Sequence, residues 1–218
     1  MKNLQKMGGV SALYAGLAYV VGMVGFILII GTGGDLDPVQ KVALLLDTRI
    51  SLHILYIIVY QAWSIFLVIL TLAIYERLKG DAPVIMQIVL AIGVMWGTVV
   101  IASGMIYNIG MDTVVNLYGT DQAQAATVWL TISSVCDGIG GGNEGLGGLW
   151  MFLTSWVALR TGKFPKALNY LGLVIGVVGI ISAAPGLAEI GLIFGITQIV
   201  WFVWLGIIML RSSSSAAA

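Results

Sequence analysis

Residues 121–160, DQAQAATVWLTISSVCDGIGGGNEGLGGLWMFLTSWVALR, decide how many times this chain crosses a membrane. The segment opens with a half-apolar stretch at 121–137, continues through a run of glycines, and ends in an apolar stretch closed by Arg160. It can be divided into two membrane-spanning helices, or into a peripheral helix followed by one span over residues 138–160. The rest of the chain is needed to choose between these divisions.

Composition places the chain in a membrane. Of its 218 residues 59% are hydrophobic and 9% are charged, whereas soluble domains carry about 25% charged residues. This excludes a soluble globular enzyme, a disordered chain and a basic nucleic-acid-binding protein. A helix needs about 20 mostly apolar residues to cross a bilayer. Outside the deciding segment, spans are predicted at residues 9–31, 50–75, 83–107, 169–185 and 186–210.

The distribution of Lys and Arg favours one span at residues 138–160. Six helices then place both termini on one side, together with eight of the ten basic residues: Lys2, Lys6, Arg77, Lys79, Arg160, Lys163, Lys166 and Arg211. A seventh span would move three of these to the other side. The positive-inside rule therefore predicts an all-α bundle of six transmembrane helices with cytoplasmic N and C termini, multi-pass in the plasma (inner) membrane.

The predicted domain covers residues 1–211, and two elements are expected on its outer side. Asp37 and Pro38 are an N-cap and a first-turn proline, which predict a short interfacial helix over residues 37–47. Residues 111–137 predict a loop and then a helix starting near Thr120, either interfacial or partly inserted. Residues 212–218 form a low-complexity tail that resembles an artificial extension.

Pairs of glycines one helical turn apart predict close helix packing. The pairs are Gly93/Gly97, Gly141/Gly145, Gly172/Gly176 and Gly191/Gly195. Small residues let two helix backbones approach in a bilayer, where burial of apolar side chains gives no driving force. The pairs can pack within one bundle, or they can form a face for a second copy or another membrane subunit.

Five polar residues at membrane depth form the predicted ligand-binding site: His53, Asn108, Asn143, Glu144 and Glu189. In the six-helix topology all of them lie toward the outer surface, where they could line an outward-facing polar pocket. Glu144 and Glu189 would carry its charge, with His53 as partner or proton acceptor. A structural explanation is also open, because a helix N-terminus favours a nearby carboxylate.

A neighbouring pattern lies on the second predicted span. His53, Tyr56, Tyr60 and Trp63 are spaced to share one face of a regular helix. No catalytic residue, metal site or cofactor is predicted, because the chain has one Cys, one His and no recognised catalytic motif.

Two segments carry a family resemblance. The first runs from Gly148-Leu149-Trp150 through Arg160 and Phe164-Pro165 to Leu171-Gly172, and the second is LLLDTRISLHILYIIVYQAWSIFLVILTLAIYERLK at residues 44–79. Together they resemble an uncharacterised prokaryotic family of six-helix integral membrane proteins, a domain of unknown function. The resemblance implies six helices and a bacterial or archaeal plasma membrane, and it brings no activity or site residues.

Two functional hypotheses follow. The first is a non-enzymatic accessory or scaffold subunit that packs in the lipid bilayer against itself, as a homo-oligomer, or against a larger membrane complex. The alternative is a transporter or receptor for a small molecule or ion, with an outward-facing polar pocket. No nucleic-acid partner is expected.

Overall fold

The computed structural model describes residues 2–31, 36–141, 144–184 and 186–215, and within these ranges all regular structure is helical. The α-helices in chain order are α1 Lys2–Ile30, α2 Pro38–Tyr56, α3 Trp63–Leu78, α4 Pro83–Tyr118, α5 Gln122–Cys136, α6 Glu144–Thr161, α7 Lys166–Ser182 and α8 Gly191–Ser215. Two π-helical segments and one 3-10 turn interrupt or connect them.

Within the described residues, four helical stretches are long and apolar enough to cross a membrane. They are Asn3–Ile29, Pro38–Leu78, Pro83–Tyr118 and Gly191–Ser212. The helix at Lys166–Ser182 is also apolar but shorter. The predicted all-α class and membrane character are thereby confirmed at this level.

The first outer element differs from its prediction. Its start is confirmed, because Asp37 Oδ1 accepts a hydrogen bond from the Gln40 backbone N–H at 2.9 Å and Gln40 Oε1 accepts one from the Asp37 N–H. The predicted end at Asp47 is wrong: the helix continues through the first π-helical segment, Ile57–Ala62, to Leu78. No glycine or proline lies between Val39 and Lys79, so nothing breaks a rod of roughly 61 Å at 1.5 Å per residue.

Three other predicted boundaries also move. The third span continues to Tyr118, so residues 111–118 are helical rather than a loop. The last helix starts at Gly191 instead of 186, because Gly186 has a φ of 83° and a 3-10 turn at Ala188–Ile190 follows it. That helix also takes in residues 212–215 of the predicted tail. The helix expected near Thr120 is confirmed, with Asp121 as its N-cap.

The second π-helical segment, Asp137–Gly141, replaces the predicted start of the fourth span. The α-helix itself begins at Glu144. Glu144 therefore lies in the first turn of α6, whereas a span starting at residue 138 would place it one to two turns inside the helix.

The extensions of α2 and α4 pack with α5 into a separate layer, which we name the cap. Its buried residues include Val42 and Leu45 from α2, Met111 and Val114 from α4, and Ala125 from α5. The 36 residues of α4 span roughly 54 Å, well beyond a hydrocarbon core of about 30 Å. The start of α2 and the end of α4 thus continue past the bundle, and α5 packs against them in the cap.

A line of tryptophans runs through the main core. Trp63, Trp96, Trp150 and Trp201 lie on four different helices, and successive ring centroids are 5.0, 5.9 and 5.9 Å apart. All four are buried. Their contacts hold α3, α4, α6 and α8 around one centre.

Glycine packing within the chain is confirmed for two of the predicted pairs. A Cβ added at Gly93 would lie 2.8 Å from Trp150 Nε1, and one at Gly97 would lie 3.3 Å from the Ser64 carbonyl oxygen. A Cβ at Gly172 or Gly176 would collide with α6. Gly195 is different, since nothing described lies within 4 Å of that position.

The end of the bundle away from the cap is held by Arg77. Its guanidinium donates hydrogen bonds to the Lys163 carbonyl and to Ser212 Oγ, each at 3.0 Å, and lies 4.5 Å from the centre of the Phe164 ring. Lys163 Nζ in turn lies 3.5 Å from Asp81 Oδ2. These contacts join the end of α3, the α6–α7 connection and the end of α8.

Candidate ligand-binding site

A cavity of about 290 Å³ lies between α1, the first π-helical segment, α4 and the start of α6. Its lining is mostly apolar and aromatic, with one charged side chain: Ala18, Tyr19, Gly22, Met23, Phe26, Val59, Tyr60, Trp63, Val100 and Glu144. Small-molecule sites are concave and mostly apolar, with a few placed polar groups. This cavity has that character.

The first π-helical segment forms one wall. A π-turn takes one more residue than an α-turn and leaves part of the backbone without its usual partner. Here the Tyr14 hydroxyl donates to the Ile58 carbonyl at 3.0 Å. On the other side α4 comes so close at Gly104 that a Cβ there would overlap Tyr60. The wide turn is therefore held by specific contacts, and such turns are frequent at functional sites.

Glu144 supplies the charge in this cavity. It is half-buried in the first turn of α6, and a Cβ added at Gly191, the first residue of α8, would lie 3.4 Å from Glu144 Oε1. The carboxylate therefore lies between the first turn of α6 and the first residue of α8. Among the described residues no Lys, Arg or His nitrogen lies within 4.0 Å of it.

Four aromatic side chains surround the same space. Tyr19 and Phe26 come from α1, Tyr60 from the π-helical segment and Trp63 from the start of α3. The Tyr19 and Trp63 rings meet edge to face at 5.8 Å. Trp63 is 3% exposed, and its indole N–H has no hydrogen-bond partner in the described part of the chain. The cavity therefore offers aromatic surfaces and one carboxylate.

His53 lies apart from this cavity, on the cap side of α2. Its Nδ1 is 3.0 Å from the Arg49 carbonyl oxygen and its Nε2 is 3.4 Å from Asp112 Oδ1. Arg49 Nη2 donates to the same Asp112 oxygen at 2.6 Å. The three side chains tie α2 to the extension of α4. Of the predicted site residues, His53 is thus placed in a contact between helices.

The structure does not bring the other predicted residues together with Glu144 in the cavity. Asn108 is half-buried on α4, and its Oδ1 has no partner among the described residues. Glu189 is exposed in the 3-10 turn before α8. Asn143 lies outside the described residues. Of the remaining four, only Glu144 lines the cavity.

A second, smaller cavity of about 120 Å³ lies in the cap. It is bordered by α2 and by Trp129 of α5, and Lys41 is the charged residue in its lining. None of the predicted site residues lines it. Its size and lining make it the weaker candidate.

Sequence reasoning missed the contribution of α1. Tyr19, Gly22 and Phe26 recur at three- and four-residue spacing and so share one helix face. That spacing could have identified this face of α1, but not the helices that it faces across the cavity. Tyr60 and Trp63 were part of the predicted stripe on the second span, and these two do line the cavity.

Further buried polar groups lie in the core beyond the cavity. Gln198 is fully buried, and neither amide atom has a partner in good hydrogen-bond geometry among the described residues, although the Tyr19 hydroxyl is near enough to interact with it. Buried polar groups normally find partners. Gln198 and Tyr19 thus extend a polar region from the cavity toward α8.

Comparisons with family models, curated proteins and solved structures find no match for this chain.

Proposed function

We propose that this chain is a multi-pass membrane protein that binds a small molecule in the cavity beside Glu144, as a receptor or carrier. The observation that carries the proposal is the lone carboxylate of Glu144 in an aromatic cavity of about 290 Å³. A charged group at membrane depth is costly and is a candidate functional residue by default. No catalytic step is part of this proposal.

The proposal includes six membrane spans, cytoplasmic N and C termini and a prokaryotic plasma membrane. The concentration of basic residues on one predicted side supports this orientation. The contacts of Arg77 with Lys163 and Ser212 also support it, because they join three chain segments that the six-helix topology assigns to the same side.

The accessory-subunit hypothesis receives less support. Gly93, Gly97, Gly172 and Gly176 all face neighbours within the chain, so they offer no free surface to a second protein. Gly195 alone among the checked members of these pairs lies open, and one glycine is a weak basis for an interface.

A cysteine-accessibility measurement tests whether small molecules reach the cavity. In a Cys136→Ser chain, Val59→Cys places a thiol in the cavity lining, and Ile57→Cys places one on the same π-helical segment at a position 47% exposed on the outside of the bundle. Both chains are treated in membrane vesicles with a small neutral methanethiosulfonate, which reacts with ionised thiols and therefore needs water.

We expect rapid labelling at position 59 and slow labelling at position 57, because the outer surface of the bundle faces lipid while the cavity admits water. Equal, slow labelling at both positions would mean that no small molecule enters, and the proposed function would fall.

A further inference from the structure

We infer that the ligand of this cavity is a compact organic cation, an amine or quaternary ammonium compound. The inference rests on the proposed function and names the class of molecule that the same site takes. Three features of the lining carry it: the charge, the aromatic rings and the volume.

The charge of the lining excludes an anion and favours a cation. Glu144 is the only ionisable acid or base among the ten residues that line the cavity, apart from tyrosine hydroxyls. No described basic nitrogen lies within 4.0 Å of its carboxylate. A half-buried carboxylate without a cationic partner is unfavourable, and a positively charged ligand would compensate that charge.

The aromatic residues favour a cation over a neutral molecule. The π faces of Tyr and Trp attract ammonium groups, and aromatic cages are a recurrent way to bind quaternary ammonium ligands. Tyr19, Tyr60 and Trp63 line the same cavity as Glu144. The carboxylate attracts a cation by its charge, and the rings attract it by cation–π interaction.

The volume limits the size of the ligand. At about 290 Å³ the cavity is just below the range of small-molecule sites, about 300–1,000 Å³. A lipid with its acyl chains would not fit inside. The part of the ligand that enters the cavity is therefore compact.

The test compares two reagents of equal shape at position 59 of the Val59→Cys, Cys136→Ser chain. One methanethiosulfonate carries a trimethylammonium-ethyl group and the other its neutral 3,3-dimethylbutyl isostere. Their rate ratio is normalised to the ratio at Thr120→Cys, an exposed position outside the cavity. After this normalisation we expect the cationic reagent to react at least about tenfold faster than the neutral one, which corresponds to about 1.4 kcal/mol.

Two carboxylate variants locate the origin of that preference. Glu144→Gln keeps the shape of the side chain and should abolish the faster reaction of the cationic reagent. Glu189→Gln is the matched control, because Glu189 is an exposed acid in the turn before α8 and does not line the cavity. In the Glu189→Gln variant the cationic reagent should still react faster.

A second measurement needs no carboxylate variant and stands even if Glu144→Gln fails to fold. Choline and its neutral isostere 3,3-dimethylbutan-1-ol are compared as protectants of position 59 against the neutral reagent. We expect protection by choline at concentrations at least about tenfold lower than by the alcohol.

The outcomes separate this inference from the proposed function. Labelling by the neutral reagent, with no cation preference and no difference between choline and the alcohol, would overturn the cation class while leaving the cavity as a ligand site. Failure of the neutral reagent to label position 59 at all would remove the proposed function and the inference with it.

Discussion

The hydroxyl of Tyr107 donates a hydrogen bond to Asp137 Oδ1 over 3.2 Å, which joins α4 to the second π-helical segment. The ring of Tyr107 also stacks on Tyr56 with centroids 4.7 Å apart, directly before the first π-helical segment. One side chain therefore connects both wide turns of the chain. One of these turns lines the cavity, and the other lies shortly before Glu144.

Replacing Tyr107 with Phe should loosen the second π-helical segment. The variant keeps the stacked ring but loses the hydrogen bond, so we expect the free energy of unfolding to fall by about 0.5–1.5 kcal/mol. Hydrogen exchange at residues 137–141 should become faster. Tyr170→Phe is the control, because Tyr170 is 58% exposed. Unchanged exchange at residues 137–141 would show that the Tyr107 hydroxyl does not hold this segment.

The Arg49–Asp112 ion pair should contribute little to stability. Its side chains are 44% and 43% exposed, and exposed pairs are typically worth about 0.2–1 kcal/mol. A double-mutant cycle with Arg49→Ala and Asp112→Ala measures the coupling energy directly. We expect a value in that range, decreasing in 1 M salt, where screening is stronger. A salt-independent coupling above about 2 kcal/mol would contradict this account.

Adding one methyl group at Gly148 should separate α6 from α7. A Cβ there would lie 2.6 Å from the Ile180 backbone nitrogen and 2.7 Å from the Gly176 carbonyl oxygen, which are backbone atoms that cannot rotate away. We expect Gly148→Ala to cost about 1–3 kcal/mol of unfolding free energy. Gly195→Ala has open space and should be neutral or slightly stabilising. Equal effects of the two variants in a thermal unfolding assay would refute the close contact.

Substituting Lys for Arg77 should weaken the end of the bundle opposite the cap. A lysine keeps the charge but cannot reproduce a planar group that donates to both Lys163 and Ser212. We expect a loss of about 1–2 kcal/mol, roughly that of one or two hydrogen bonds. Arg160→Lys serves as comparison, since Arg160 packs on the Trp156 ring, and its effect should be smaller. A larger effect at Arg160 would contradict the assignment of Arg77 as the main connection.

The helical class and several helix ends could be predicted from the sequence because they depend on local chemistry. Long apolar runs without charges predict the spans, and Asp37 predicts the helix start that its side chain caps. The end at Asp47 could not be predicted correctly. No glycine or proline lies near it, so nothing in the chain ends the helix there.

The candidate site was only partly predictable, because depth in the membrane does not give direction around a helix axis. Glu144, His53 and Glu189 were all assigned to one level, yet only Glu144 faces the cavity. The stripe from His53 to Trp63 assumed a regular helix. The π-helical segment at Ile57–Ala62 inserts a wider turn between them, so Tyr60 and Trp63 line the cavity while His53 meets Asp112.

That wide turn gives the long helix two halves whose relative rotation depends on a single extra residue. Each residue of an α-helix advances by about 100°, so restoring regular pitch at Ile57–Ala62 would swing the α2 half around its axis by about that angle. Arg49 would then leave Asp112, and Tyr56 would leave Tyr107. The contacts of Arg49 and Tyr56 therefore resist rotation of the α2 half about the helix axis. In this way, contacts in the cap fix the shape of the cavity wall further along the same helix.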